Sequence, residues 1–503
     1  MSLGTSLRPL RNSEVATASS SQDGLCVAHG EGTGDGWSGW LRPASPGSDT
    51  ASAAASRRLP WRKREQAVRG VRGILQNTLV LLSGKVANAM LGLGSTAVAA
   101  RALGVHDFGM LILIQAFAAA VADCVTFQSW QTVLHYGVQP LAAGARPLLQ
   151  RLLRFTLLLD VASGGLGVLV GMALVVFFRP LMGWPAEITS LSLVYCASIA
   201  CRVMATPTGV LRLLDRFDLL AGQTTTASFV RLLGGLLVWS LGGQLAGFVG
   251  VWFAAEAAAC AVLFGLAWRE LHRKGLLAGA RWRWSGLTAG LPSGIWRFAW
   301  TTNLNSALTL AFGQVGILLV GGVLDPSSAA FYRIARQIAN AVAKPARLVL
   351  PAMYPELTRL WRAGALRDLH RVAIQIAAGA GATATALLLL ALVAGAPLIE
   401  LVVGPAFRPA APLMIWLLVA AVIDIWALPL EPLLISTGRP AAAVRVRAGV
   451  ALVYLPLFYL ALREIGVLGA GYVSVLAAVL LALAQFAFVR REASRSRGQE
   501  LLQ

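Results

Sequence analysis

At 503 residues, with 57% hydrophobic and only 13% charged residues and a mean hydropathy of +0.67, the chain is too apolar for a soluble two-domain protein. Forty-three Lys and Arg against 23 Asp and Glu give a formal net charge of +20, but the basic residues fall in short clusters between apolar runs. That pattern argues against a nucleic-acid face and fits the loops of an all-α polytopic membrane protein. The five cysteines (Cys26, Cys124, Cys196, Cys201 and Cys260) show no CxxC spacing and the histidines are dispersed, so neither a disulfide frame nor a metal or other cofactor is expected.

In chain order, residues 1–60 are rich in Ser, Gly, Ala and Asp and hold no apolar window. They are expected to form a disordered extension, or to lie upstream of a mis-assigned start; without an apolar h-region they are not a cleaved leader. Twelve windows follow that are long enough to cross ~30 Å of hydrocarbon. They lie near 74–100, 108–132, 155–178, 187–210, 219–241, 246–268, 295–322, 327–352, 372–396, 410–436, 441–462 and 468–489.

Alternate loops differ sharply in charge. One set carries clusters such as Arg57 to Arg72, Arg146, Arg151 and Arg154, Arg269 to Arg283, Arg359 to Arg371 and Arg490 to Arg497, whereas the other holds only Arg101, Arg179, Arg408 and Arg463. The positive-inside bias then places both termini in the cytoplasm. The central loop, 269–292, divides the spans six and six, and 491–503 forms a cytoplasmic tail. "RWRWSGL" (Arg281 to Leu287) reads as an interfacial anchor in that loop or as a partner site. Spans one and seven share a polar-flecked helix that ends in a small-residue stretch and a tight turn with Asp107 or Asp325, a weak internal match of the kind transporters use to build a central site.

Several chemistries lack their residues. No GxxxxGK[ST] occurs, and Gly84-Lys85 stands alone in an apolar helix, so no ATP-driven engine is encoded. The outward loops are short, the longest running from Ala396 to Pro412, and Asp107, Glu187, Asp325, Glu400 and Glu464 sit singly in turns where capping is their ordinary work. A membrane-embedded glycan polymerase or ligase would need a sizeable outer loop, so an enzyme is not expected.

Ionisable residues inside the spans are informative, since each costs ~2.5–3.5 kcal/mol at a helix centre. They are Lys85, Asp123, Asp160, Arg202, Arg231, Glu256, Arg297, Arg333, Arg336, Lys344, Arg347, Asp424 and Glu431. In span eight, Arg333, Arg336, Gln337, Asn340, Lys344 and Arg347 recur at steps of three and four and share one face. Arg333 and Arg347 are ~21 Å apart along the axis at 1.5 Å per residue. Facing lipid, four such cations would cost on the order of 10 kcal/mol, so the face is expected to line a water-filled cavity. Lys344 and Arg347 could instead snorkel to the cytoplasmic surface. Span one repeats the theme with Lys85 and Asn88, span two with Gln115, Asp123, Thr126 and Ser129, and span seven with Asn303 and Gln314. Lys85 and Asp123 either pair as buried structure or serve transport; Asp160, Arg202, Arg231 and Glu256 read as structural pairs. Pro345, Pro351, Pro429 and Pro432 mark places for bends.

"AARALGVHDFGMLIL" (Ala99 to Leu113), "AAFYRIARQIANAVAKPARLVLPAMYPELTRL" (Ala329 to Leu360), "PLIELVVGPAFRPAAPLMIWLL" (Pro397 to Leu418), "STGRPAAAVRVR" and "GVLGAGYVSVL" (Gly466 to Leu476) resemble the polysaccharide and O-antigen lipid-linked oligosaccharide flippases. These belong to the multidrug/oligosaccharidyl-lipid/polysaccharide exporter superfamily. The resemblance covers nearly everything after residue 70. It implies two six-helix bundles, here 61–268 and 293–490, around a V-shaped central cavity. It also implies a multi-pass protein of the bacterial inner membrane that moves an undecaprenyl-diphosphate-linked oligosaccharide to the periplasmic leaflet, beside the glycan polymerase and glycosyltransferases of its pathway. An anionic, bulky head group suits a cationic cleft, in which Arg binds phosphate through paired N–H donors and Lys as a point charge. The expected cargo-binding cations are Arg333, Arg336, Lys344, Arg347 and Lys85, lined by Asn88, Gln337, Asn340, Asn303 and Gln314, with Asp123, Asp424 and Glu431 as carriers for ion coupling. Rival readings are a flippase of a lipid-linked peptidoglycan precursor, a drug exporter of the same superfamily, the glycan polymerase or ligase, and a non-catalytic scaffold.

Overall fold

The computed structural model describes residues 61–182, 186–202, 204–279, 292, 294–347, 359–360, 366–436 and 440–500, with side-chain surroundings for most of these from residue 87 onward. Residues 1–60, the "RWRWSGL" segment and Pro351 lie outside the described residues. The chain divides into two compact units, Met1–Val68, of which only helical backbone from Trp61 is described, and Arg69–Gln503.

Every regular element among the described residues is helical. α1 (Trp61–Val125) carries the first pass and most of the second, with its turn at Gly104, whose φ of 74° and ψ of −179° suit a residue without Cβ. The second pass continues, after a break at 126–128, through α2 (Ser129–Ala142). α3 (Arg146–Met182) is the third. The fourth is interrupted twice, as α4 (Ala186–Cys196), α5 (Ser198–Cys201) and α6 (Ala205–Leu213). α7 (Phe217–Gln223) with α8 (Thr226–Ser240) and α9 (Leu245–Arg273) complete six passes. The second six are α10 (Ile295–Val323), α11 (Pro326–Arg347), α12 (Leu366–Val402), α13 (Ala410–Trp426) with α14 (Leu430–Ser436), α15 (Pro440–Ile465) and α16 (Val467–Glu500). The tenth pass breaks between Trp426 and Leu430, at Pro429. Eight helical stretches among the described residues are long and apolar enough to cross a membrane, one of which, Ala87–Ala142, contains two passes.

The passes outrun their apolar windows. Arg146 to Arg154, expected in a loop, form the first turns of α3; Arg269 and Arg273 still belong to α9; and the expected tail remains helical to Glu500. Hydropathy marks where lipid begins, whereas a helix continues past it as long as its backbone bonds close and its basic side chains reach water.

Within the first half α2 packs on α3 and α6, and α8 on α9; within the second, α13 is the hub, touching α11, α12 and α16. α11 suits that hub because Ala335, Ala339 and Ala343 are buried along one face with Tyr332, and the small alanine side chains let backbones approach. The halves meet at the end that carries the Asp107 and Asp325 turns. There Phe108, fully buried, meets Phe407 edge-on at 5.8 Å, and Phe331 does so at 6.2 Å. Arg101 donates to the Leu401 carbonyl, Leu113 covers Gly321, and Gly109 lies against the Pro326 backbone. At the opposite, basic end α2 touches α10, with His135 stacked on Phe298 at 4.6 Å and Phe127 edge-on to Trp300 at 5.1 Å.

Candidate functional site: a buried arginine cluster

The polar face of α11 changes character along its length. Arg333, Arg336 and Gln337 are half-buried, whereas Asn340 and Lys344, nearer the basic end, are exposed. The stripe therefore runs from an enclosed position near the packed end toward an open one. Backbone helix extends through 345 and 347, so Pro345 does not end it. The side chains of Arg347 and Lys85 lie outside the described residues.

Arg333 sits at the enclosed end of that stripe. The charges acting on it are those of Arg231 on α8 and its helix neighbour Arg336, both of its own sign. Its Nε is buried without a hydrogen-bond acceptor, and no ion pair holds it among the described residues. Arg336 lies 5.9 Å from the centroid of Tyr332, a weak cation–π contact.

Arg231 is differently provided. Its Nη2 donates to Glu256 Oε1 at 2.6 Å, and its guanidinium carbon is 5.6 Å from the Trp252 ring, while its Nε is buried without an acceptor. The same Oε1 atom also accepts from Arg202 Nη1 at 3.5 Å, a loose contact. Glu256, 8% exposed, thus stands between two arginines, and the buried ring of Tyr195 lies within reach of their charges. Asp123, at the end of α1, feels the charge of Arg202.

Amides join the helices around the cluster. Ser228 Oγ donates to Asn88 Oδ1 at 2.6 Å, linking the first and fifth passes, and the Thr96 hydroxyl, which donates to the Gly92 carbonyl at 2.8 Å, lies 3.4 Å from Gln337 Oε1, a contact between the first pass and α11 across the two halves. The first pass thus meets the fifth at Asn88 and the eighth at Thr96, about two turns apart along α1. Asn303, 5% exposed with its Oδ1 unpartnered, and Gln314 lie on α10 with no contact to the arginines among the described ones. Asp424 is half-buried on α13, and Glu431 is engaged by Arg447 at 2.8 Å.

Sequence reasoning placed Arg202, Arg231 and Glu256 in structural pairs. They do pair, but the pair stands against Arg333 and belongs to the same cluster. The available signal was that each is a single ionisable residue midway along an apolar span. Asp160 departs from its expected ionic partner: fully buried, it accepts from Ser129 Oγ and from the Thr206 amide at 2.7 Å. Ser129 opens α2 and Thr206 lies in the first turn of α6, so one carboxylate serves the amino ends of two half-helices, where the backbone dipole favours negative charge. At the basic end, outside the spans, Arg216 donates to Asp218 at 2.9 Å and holds that carboxyl below the usual carboxylate range. Among the described residues no group of three His, Cys, Asp or Glu is placed to hold a metal ion.

No model of a known protein family matches the sequence. The fold is nevertheless recognisable. A multidrug resistance MATE family transporter of the MOP superfamily, in an inward-facing conformation, superimposes with a TM-score of 0.64 at 12% identity, over 84% of this chain and 99% of that one. The lipid II flippase MurJ, inward closed, gives 0.60 at 11% identity over 82% and 87%, and the Vibrio cholerae MATE transporter VcmN, in its bent form, 0.52 at 15% over 84% and 97%. At such identities these likenesses establish the fold alone, one shared with those transporters. A sequence relative goes further: the inner membrane protein YghQ of Escherichia coli (strain K12) is 31% identical over 346 residues, 67% of this chain and 95% of YghQ. An all-α polytopic membrane protein that shares the fold of those transporters, the chain belongs to the same family as YghQ.

Proposed function

We propose that the chain is a flippase that carries a diphosphate-linked oligosaccharide on a polyprenyl lipid across the bacterial inner membrane by alternating access, in the assembly of a surface polysaccharide or lipopolysaccharide. One observation carries the reading: Arg333, half-buried between the halves, has no counter-ion among the described residues and faces two further arginines. An uncompensated buried cation is expensive, so it is kept where an anion arrives to pair with it. A diphosphate offers acceptor oxygens that a guanidinium binds through parallel N–H donors. The lipid tail stays in the bilayer, and only the head group needs the polar path along α11.

The charge bias of the loops puts the basic end and both termini in the cytoplasm. In that orientation the packed Phe108, Phe331 and Phe407 lie on the periplasmic side, and the face from Arg333 to Lys344 grows more exposed toward the cytoplasm, beside the α2–α10 contact, as loading from inside would require. Glycosyltransferases would supply the cargo and a glycan polymerase would use it. A cationic drug would be repelled by this cluster, which disfavours drug export. A lipid-linked peptidoglycan precursor carries the same diphosphate, and the experiment separates the two. Cells whose own gene is replaced by Arg333→Gln/Arg336→Gln should insert the protein normally and lose surface glycan while continuing to grow. Wild-type glycan with both arginines neutralised overturns the assignment, and arrest of wall synthesis points to the peptidoglycan precursor.

A further inference from the structure

The cluster is asymmetric in a way that a simple anion site does not require. Arg231 is already occupied by Glu256 at 2.6 Å, although its Nε is buried and idle, and Glu256 has a second arginine, Arg202, at the looser distance of 3.5 Å. The geometry points to Glu256 as a built-in competitor for the cargo: a diphosphate bound at Arg333 draws Arg231 away, and the carboxylate is handed over to Arg202. This rests on the reading of the cluster as a diphosphate site.

Three features fit the handover. Arg333 and Arg231 repel each other while no anion lies between them, and a bound phosphate converts that repulsion into two attractions. Glu256, almost wholly buried, cannot be left without a partner, and Arg202 is the cation in reach that holds it only loosely. Arg202 also stands at the break between α5 and α6 and in the field of Asp123 beside the break at 126–128. Tightening the Glu256–Arg202 contact therefore acts where the second and fourth passes are interrupted, which couples occupancy of the site to the helices that must move. Glu256 is accordingly a positioning residue: it restrains Arg231 in the empty site and, by reclaiming it, helps to expel the cargo. A residue that merely stabilised the bundle would weaken binding when removed, whereas a competitor strengthens it.

The test uses the full chain in lipid nanodiscs and a fluorescent short-chain polyprenyl diphosphate as probe. Glu256→Gln should bind it more tightly, by at least about fivefold, with slower release, the low end of coupling between linked events. Arg202→Gln, which leaves the carboxylate nowhere to go, should bind it more weakly by a similar factor, and Arg202→Lys should restore most of the affinity. If Glu256→Gln does not fold, Glu256→Asp serves: its shorter side chain releases Arg231 more readily and should still tighten binding. Unchanged or weaker binding in the Glu256 variants, or unchanged binding in Arg202→Gln, overturns the handover. Failure of the wild type to bind, or full binding by Arg333→Gln, overturns instead the diphosphate site on which it rests.

Discussion

The two halves of the molecule treat a buried arginine in opposite ways. In the first half Arg231 is tied to Glu256 and lies near Trp252, with Arg202 as that carboxylate's second partner; in the second, Arg333 has no ion pair among the described residues, although both arginines keep a buried Nε without an acceptor. In the first half the shared carboxylate offsets part of the desolvation cost of its arginines, while Arg333 has no such offset among the described residues. Stability alone would have removed Arg333 or supplied it with a carboxylate. A charge which weakens the fold, set beside charges that support it, is what the proposed cargo site requires.

The comparison is broken most directly by removing one member on each side. Glu256→Ala should destabilise the protein by about 3–5 kcal/mol, because two arginines then lose their shared counter-ion. Arg333→Met should leave stability unchanged or raise it, while abolishing transport. Thermal unfolding of the two purified variants decides the matter, and equal losses would erase the distinction between the halves.

A second prediction concerns the seam that joins them. A Cβ at Gly109 would meet the Pro326 backbone, which cannot rotate aside as a side chain can. Gly109→Val should therefore cost the closed arrangement about 1–3 kcal/mol, the usual range for overpacking. On a cysteine-free background, Ala329→Cys, fully buried in the wild type, should become reactive to an impermeant maleimide when Gly109→Val is added. Continued protection would show that the seam yields elsewhere.

Asp160 sharpens the comparison within the first half, where its charge is met by donors and not by a cation. Asp160→Asn keeps the shape but turns half of the carboxylate into a donor facing the Ser129 hydroxyl or the Thr206 amide. A loss of about 1–3 kcal/mol is expected from the donor left unpaired. Wild-type thermal stability would mean that the two half-helices do not depend on this shared acceptor.

Much of this was legible in the sequence, for reasons that differ by element. The twelve passes followed from apolar windows, and the α11 stripe from residues on one helix, whose 3.6-residue period fixes their relative directions without tertiary knowledge. The Arg231–Glu256–Arg202 cluster was not legible as part of the site, because its members come from three passes and no spacing relates them to Arg333. The break at 126–128 was hidden too. No proline marks it, and the carboxylate at Asp160 that serves the following helix lies a whole pass away. Proline at 429, by contrast, announced the break it causes.

The smallest effect is expected at the open end of the stripe, where Lys344 is exposed on the same face as Arg333. Four methylenes let its ammonium reach water at the basic end, so the charge is hydrated and needs no anion. Lys344→Gln should leave stability within about 0.5 kcal/mol, as for most surface substitutions, and reduce glycan export only slightly. Any loss should grow as salt is lowered, since an exposed cation acts on arriving cargo through a field that ions screen over ~8–10 Å. A loss of export as complete as that of Arg333→Gln, and indifferent to salt, would place Lys344 in direct contact with the cargo and extend the uncompensated region along the whole face of α11.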